Sequence, residues 1–432
     1  MAVADQKGQS PAVGPSKPRL LGILGPGLIT GASDDDPSGI GTYSQAGAQI
    51  GFGISWVMLF SYPLMVAVQE ISARIGRTTG CGIAGNIARH YPDWVLQTLV
   101  PLLFIANTIN IGADLGAMGD VAQMLTGAPR LLFVALFGLI CAVMQIFMQY
   151  SRYVAVLKWT TVSLFTYFGT ALMVPVPWGE VLRGFLVPTL SFDSDYLTLI
   201  VAVLGTTISP YLFFWQSSQE AEDQRVKPAR YPLKIAPEQA SHAIQRIRLD
   251  TYVGMAFANL VALAIIVTTA ATLHANGVTD IESSQQAAEA LKPVAGKFAF
   301  GLFALGIIGT GLLAVPVLAG SAAYAVGESR RWPVGLARHP MEAKAFYSVI
   351  AIATLIGMIL NFTPLNPIKA LYWSAVINGV VAVPVMAVMM LMTANPKVMG
   401  EFTISGVLRW LGWVATAVMA ASVVGMVVTW FA

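Results

Sequence analysis

The chain has 432 residues, of which 56% are hydrophobic and only 11% charged, and its formal net charge is +3. A soluble domain carries roughly a quarter charged residues. With a mean hydropathy of +0.68, this composition excludes an ordinary soluble enzyme and reads as a chain crossing a membrane many times. Cys81 and Cys141 are too few for a disulfide framework; one is expected in a loop, the other in an apolar helix, and both read as free thiols.

The first 19 residues are polar, carry Lys7, Lys17 and Arg19, and lack an apolar core with a cleavage site. They read as a short disordered cytoplasmic tail, not a signal peptide. About 20 apolar residues cross a bilayer as a helix. On that measure eleven spans are predicted, near 21–50, 54–73, 98–119, 131–149, 154–175, 198–217, 249–273, 298–325, 346–362, 369–393 and 408–431. With the N-terminus inside, twenty of the 25 basic residues fall on the cytoplasmic side. Only Arg130, Arg183, Lys292, Lys297 and Lys369 fall on the other. The odd number of spans then leaves the C-terminus outside a cell (plasma) membrane.

Two spans are interrupted, the first at "DDDPSG" and the sixth at "GTTISPY". Proline removes a backbone donor and disfavours helix at the residue before it. Freed backbone groups cannot face lipid, so both breaks must face protein or a water-filled cavity. Each break opens a set of five spans, which is the sequence pointer to an inverted-repeat transporter with its site at the breaks. The expected organisation is a tail over 1–19, five-helix repeats over 20–175 and 198–393, and an extra C-terminal helix over 408–431.

Ionisable groups at membrane depth are costly and mark function by default. Asp36 stands at the first break beside released carbonyls, an oxygen set suited to a hard cation. Of Asp34 and Asp35, one is expected to cap a half-helix and the other to face an aqueous vestibule, with direct cation contact an alternative for either; Asp35 joins the ligand candidates. The second break offers Thr206, Thr207 and Ser209 and no sulfur or imidazole, which suits magnesium, calcium and manganese over softer ions. Asn107, Asn110 and Asp114 in the third span share one helix face, either as a cavity lining or as interhelical glue. Asn378 in the tenth span is a similar, weaker case. No nucleotide fold, nucleophile elbow or helical zinc pair is present, so neither an enzyme nor a resident cofactor is expected. The basic run "RVKPARYPLK" is explained by topology, with anionic lipid an alternative contact and no nucleic-acid partner implied.

These residues together resemble the NRAMP divalent-metal transporter family, from Gly25 to about residue 393. The resemblance is carried by "GPGLITGASDDDPSGIGTYSQAGA", "QEISARIGRTTGCGIAGNIARHY", "GADLGAMGD", "GTTISPYLFFWQSS" and "FALGIIGTGLLAVPVLAG". It implies an all-α polytopic membrane protein with a leucine-transporter-like fold, two inverted five-helix repeats and an eleventh helix, the metal held between the unwound parts of the first and sixth helices. The family's Asp-Pro-Gly-Asn reads Asp36-Pro37-Ser38-Gly39 here, and its Ala-x-x-Met-Pro-His reads Thr206-Thr207-Ile208-Ser209-Pro210-Tyr211. The implied metal set is therefore Asp36, Asp35, Gly39, Thr206 and Ser209. The family's proton-handling histidines correspond to Tyr211 and Gln216, and its third-helix Asp is kept as Asp114 while the following Glu is Ala117. A polar or proton pathway would use Asp114, Asn110, Asn107, Asn378, Tyr211 and Gln216. Loss of the methionine and of the titratable groups resembles the family's magnesium-transporting branch.

The expected function is inward transport of divalent cations, Mg²⁺ and Mn²⁺, without proton coupling. Alternatives are a proton-coupled Mn²⁺/Fe²⁺ importer, an amino-acid or amine carrier of the same fold, and a sensor without transport. The expected partners are the metal ions and the lipid bilayer. The sequence does not set the oligomeric state, and a monomer is compatible with it.

Overall fold

The computed structural model describes residues 30–31, 33–147, 164–226 and 229–431. The expectations for the N-terminal tail and for the first half of the fifth span lie outside these residues. Among the described residues the structure is helical: α1 (Pro37–Ile50), α2 (Trp56–Thr79), α3 (Ile83–His90), α4 (Asp93–Thr126), α5 (Arg130–Phe147), α6 (Phe165–Met173) and α7 (Trp178–Leu186) in the first half. The second half holds α8 (Ser194–Thr207), α9 (Pro210–Val226), α10 (Ala240–Thr272), α11 (Ala299–Ser329), α12 (Lys344–Leu360), α13 (Pro367–Thr393) and α14 (Gly406–Phe431). Residues 30, 31, 33 and 34 are also helical, ahead of the first break.

Eight described helices, counting α8 and α9 as one broken span, are long and apolar enough to cross a membrane. Helix α12 is a shorter apolar helix. Both predicted interruptions are present: helix stops before Asp36 and resumes at Pro37, and stops at Thr207 and resumes at Pro210. Proline is tolerated at the first helical position, where its missing N–H has no partner to lose.

The packing has the symmetry of an inverted repeat. Helix α1, which follows the first break, packs on α10, the second helix of the other half; α9, which follows the second break, packs on α2. The long helices α4 and α11 pack on each other, and α13 runs beside α4, α8 and α1. Small residues let the backbones close up: a methyl group on Gly205 would sit 2.1 Å from the Ala375 carbonyl oxygen, and one on Gly379 would sit 2.7 Å from that of Val201. Helix α14 packs against α13, α8 and α2, outside the repeats.

Helix α10 begins at Ala240, nine residues before its predicted span. Its extra turns carry Arg246, bonded to Glu220 of α9 at 2.5 Å, and Arg248, bonded to Glu70 of α2 at 3.0 Å. Glu70 also pairs with Arg74. Glu222 accepts hydrogen bonds from Tyr324 and from the Leu336 and Ala337 N–H groups. The arginine-rich end of the bundle is thereby stitched shut between α2, α9, α10 and α11.

Candidate functional site

The two breaks meet in the buried interior. Asp36 has an extended backbone and caps α1, its Oδ1 accepting the Gly39 N–H at 2.7 Å. Its Oδ2 accepts from Asn110 Nδ2 at 3.2 Å and from the Tyr211 hydroxyl at 3.4 Å. The same hydroxyl donates to the Ser33 carbonyl at 2.9 Å, satisfying a group released by the break. Asp36 is therefore both a helix cap and the point where the first span, α4 and α9 converge.

At the second break, Pro210 has no N–H for the Thr206 carbonyl four residues back. Ser209 supplies the substitute: its hydroxyl donates to the Gly205 and Thr206 carbonyls at 2.7 and 2.8 Å. The hydroxyl proton is committed backwards and its oxygen lone pairs are left to face elsewhere. Gly39 lets the breaks approach, because a methyl group there would lie 3.1 Å from both Thr206 Oγ1 and the Asp34 carbonyl oxygen. Having no side chain, Gly39 offers spacing and an N–H for Asp36 and no side-chain ligand.

Around these groups stand buried acceptors without donors. Neither carboxylate oxygen of Asp34 or Asp35 has a hydrogen-bond partner, nor do Thr42 Oγ1 or Asn110 Oδ1. Asp114 lies beside the Ser38 backbone, within electrostatic reach of Asp36. Among the described residues no lysine, arginine or histidine forms an ion pair with any of these aspartates. A buried charge left this way is costly, so the constellation suits a cation brought from outside. Among the described residues no three His, Cys, Asp or Glu side chains stand at metal-holding spacing. An ion here would draw on neutral oxygens and water as well as on a carboxylate.

One expectation is corrected. Asp34 and Asp35 neither cap a helix nor face a vestibule: both are fully buried, with no hydrogen bond to either carboxylate, and the cap is Asp36 itself. The face shared by Asn107, Asn110 and Asp114 divides in use, since Asn107 donates to the Leu318 carbonyl at 2.9 Å and ties α4 to α11, while Asn110 meets Asp36. Tyr211 belongs to the Asp36 contacts. Gln216 does not: it accepts from Thr30 at 2.5 Å and from Gln69 at 3.2 Å, joining the first span, α2 and α9. Asn378 is buried in α13 with no partner on either amide atom. The sequence reading missed Ser38 and Tyr43. Tyr43 follows Asp36 by seven residues on the same helix face, a spacing that could have flagged it.

A cavity of about 650 Å³ opens at the end away from the arginines, lined among others by Gly41, Gln45, Asp195, Asp280, Lys369 and Trp373. Gly41 belongs to α1 just beyond Asp36, so this cavity reaches toward the site from that end.

The chain resembles known membrane transporters in sequence and in fold. Divalent metal cation transporter MntH of Klebsiella pneumoniae is 25% identical over 417 residues, covering 93% of this chain and 92% of that protein. MntH of Erwinia tasmaniensis is 28% identical over 295 residues, covering 65% of this chain and 66% of its own length. A crystal structure of the Eremococcus coleocola manganese transporter, mutant H236A, superposes with a TM-score of 0.75 at 16% identity, covering 96% of this chain and 88% of that one. MhsT in complex with L-phenylalanine superposes at 0.57, 13% identical, covering 96% and 98%. These likenesses fix the fold as the inverted five-plus-five helix repeat. The family model described as "Nramp: Natural resistance-associated macrophage protein-like" matches residues 27–429, and the chain belongs to that family.

Proposed function

We propose that this protein carries divalent metal cations, Mg²⁺ and Mn²⁺, into the cell by alternating access and without moving protons. The observation that carries this reading is the buried, oxygen-rich constellation at the meeting of the two breaks, with Asp36 at its centre and Asp114 beside it. Oxygen ligands favour hard ions, and the absence of a thioether at Ser209 removes the preference for softer ones. Magnesium dehydrates reluctantly and keeps several waters, which suits one central carboxylate among neutral oxygens. The names of the relatives, divalent metal cation transporters and a manganese transporter, support the substrate class. The positive-inside rule puts the stitched, arginine-rich end in the cytoplasm. On that reading the open cavity faces outside and the C-terminus lies outside.

Purified protein in liposomes, assayed for Mg²⁺, Mn²⁺, Ca²⁺ and amino-acid flux with a pH-sensitive dye inside, tests this. Flux of Mg²⁺ or Mn²⁺ with a silent dye is expected; amino-acid flux without metal flux overturns it. A second reading, a proton-coupled Mn²⁺/Fe²⁺ importer, is favoured by one feature, the buried carboxylate of Asp114, which has no ion-pair partner among the described residues. It would show as acidification of the lumen during metal uptake.

A further inference from the structure

The arginine-rich end holds a second cavity, of about 340 Å³, far in character from the oxygen-lined cation site. It lies where the α2–α3 turn, the end of α9 and the segment after α11 meet, and four arginines line it: Arg89, Arg225, Arg331 and Arg338. Arg225 Nη1 and Arg338 Nε both donate to the Val334 carbonyl oxygen, at 3.2 and 3.1 Å. Two guanidinium groups sharing one acceptor stand side by side, an arrangement that repels unless an anion lies between or beside them. Each has five N–H donors and spends one here.

The protein supplies only part of that charge, Glu328, which lies within electrostatic reach of Arg225. Among the described residues none of the four arginines forms an ion pair. The one carboxylate lining the cavity, Glu328, is engaged elsewhere: it accepts the Gly82 and Gly85 N–H groups at 3.1 and 3.0 Å and the Ser218 hydroxyl at 3.2 Å. Cys81, also on the lining, has its thiol pushed up from its ordinary range by burial, so it stays neutral. Four cations thus face one occupied carboxylate. Trp332 and Pro333 complete the wall with apolar surface.

We propose that this cavity binds a phosphate group, presented either by a soluble phosphate compound or by the headgroup of an anionic lipid. Guanidinium forks match phosphate oxygens in pairs, and a planar, weakly hydrated cation releases water more readily than an ammonium does. A cavity of this volume suits a small ligand or headgroup. Because α9 is one half of the broken sixth span, a phosphate held here ties the half-helix to the α2–α3 turn and favours the closed state of this end. The proposal stands apart from the cation reading, since it uses none of the same residues.

The test is binding to full-length protein. Inorganic pyrophosphate is titrated calorimetrically into protein in neutral detergent, at matched ionic strength with chloride as the blank. In parallel the unfolding temperature is read in nanodiscs of phosphatidylcholine with and without phosphatidylglycerol. The variant is Arg89→Gln with Arg331→Gln, which removes two of the charges without touching the Val334 carbonyl; Arg183→Gln with Lys297→Gln, at the opposite end, is the control. Pyrophosphate binding about tenfold weaker in the first variant and unchanged in the control assigns a soluble phosphate ligand. Stabilisation by phosphatidylglycerol that the first variant loses, with no pyrophosphate binding, assigns the lipid headgroup. No effect of either probe, or an effect equal in parent and first variant, overturns the proposal, leaving the arginines as topological charge only.

Discussion

At the scale of the residue, Asp36 does two jobs that are usually separate. One carboxylate oxygen caps α1 and the other takes Asn110 and Tyr211, so its geometry is fixed before any ion arrives. A carboxylate has about four lone-pair sites, and three hydrogen bonds leave room for a cation contact. Asp36→Ala is expected to reduce Mn²⁺ and Mg²⁺ uptake into liposomes below about a tenth of the parent rate while losing only a cap, worth about 0.5–2 kcal/mol. Size-exclusion and thermal unfolding check that the variant still folds; a folded variant transporting at the parent rate removes Asp36 from the site. Ser209 is likewise double in its role. Ser209→Met adds a thioether at the break and removes the hydroxyl that satisfies the Gly205 and Thr206 carbonyls. The expected result is tighter Cd²⁺ binding relative to Mg²⁺, with a loss of roughly 1–3 kcal/mol in stability from the orphaned carbonyls. Calorimetric titration of the two ions reads the first effect, and an unchanged Cd²⁺/Mg²⁺ ratio would mean that Ser209 faces away from the ion.

At the scale of the element, the breaks were legible because proline acts locally. Asp36-Pro37 and Ser209-Pro210 stop a helix whatever the rest of the chain does, and both stops are where the sequence puts them. The start of α10 was not legible, because Arg246 and Arg248 look like loop residues until their partners are seen. Those partners, Glu220 and Glu70, lie 26 and 178 residues away. The same holds at the site: Asp36 was readable from its motif, whereas the contact of Tyr211 with Ser33 and Asp36 arises only when α9 docks on the first span. Burial of Asp34 and Asp35 without partners was hidden for the opposite reason, since local rules expect a cap or water and the bundle provides neither. The crossing of α8 over α13 gives an element-level prediction. Gly205→Ala places a methyl group 2.1 Å from the Ala375 carbonyl oxygen, so the helices must separate. Overpacking of this kind costs about 1–3 kcal/mol, and a lowered unfolding temperature is expected. Gly425→Ala, whose added carbon would have its nearest neighbour at 3.4 Å, is the near-neutral comparison; equal behaviour of the two variants would show that the crossing tolerates a wider spacing.

At the scale of the whole molecule, the question on the alternating-access reading is how the two repeats are tied to each other. The packing of α1 on α10 and of α9 on α2 makes each half-helix after a break a passenger of the opposite repeat. On the alternating-access reading, relative motion of the repeats keeps the Asp36 bond to Gly39, which lies within α1, and bears on the one to Asn110, which crosses to α4 of the first repeat. Carrying protons along needs more, namely a chain of titratable groups within relay distance. Asp114 stands beside the site, but Ala117 has nothing to titrate, the Tyr211 hydroxyl is engaged with Ser33 and Asp36, and Gln216 links Thr30 to Gln69 as a neutral amide. Tyrosine ordinarily titrates near pH 10, roughly three units above neutral. On the proposed uncoupled reading, the relay is interrupted one member past Asp114 on the α4 and α9 side, with the buried Asp34 and Asp35 next to Asp36 on the other. Metal uptake into liposomes loaded with a pH-sensitive dye is expected to proceed without acidification, and an imposed inward proton gradient is expected to leave the initial Mn²⁺ rate within about twofold. Asp114→Asn should then weaken metal binding through the lost charge while leaving the dye silent, as in the parent. Acidification that accompanies metal entry in the parent and vanishes in Asp114→Asn would make Asp114 a proton carrier and replace the uncoupled mechanism with a proton-coupled one.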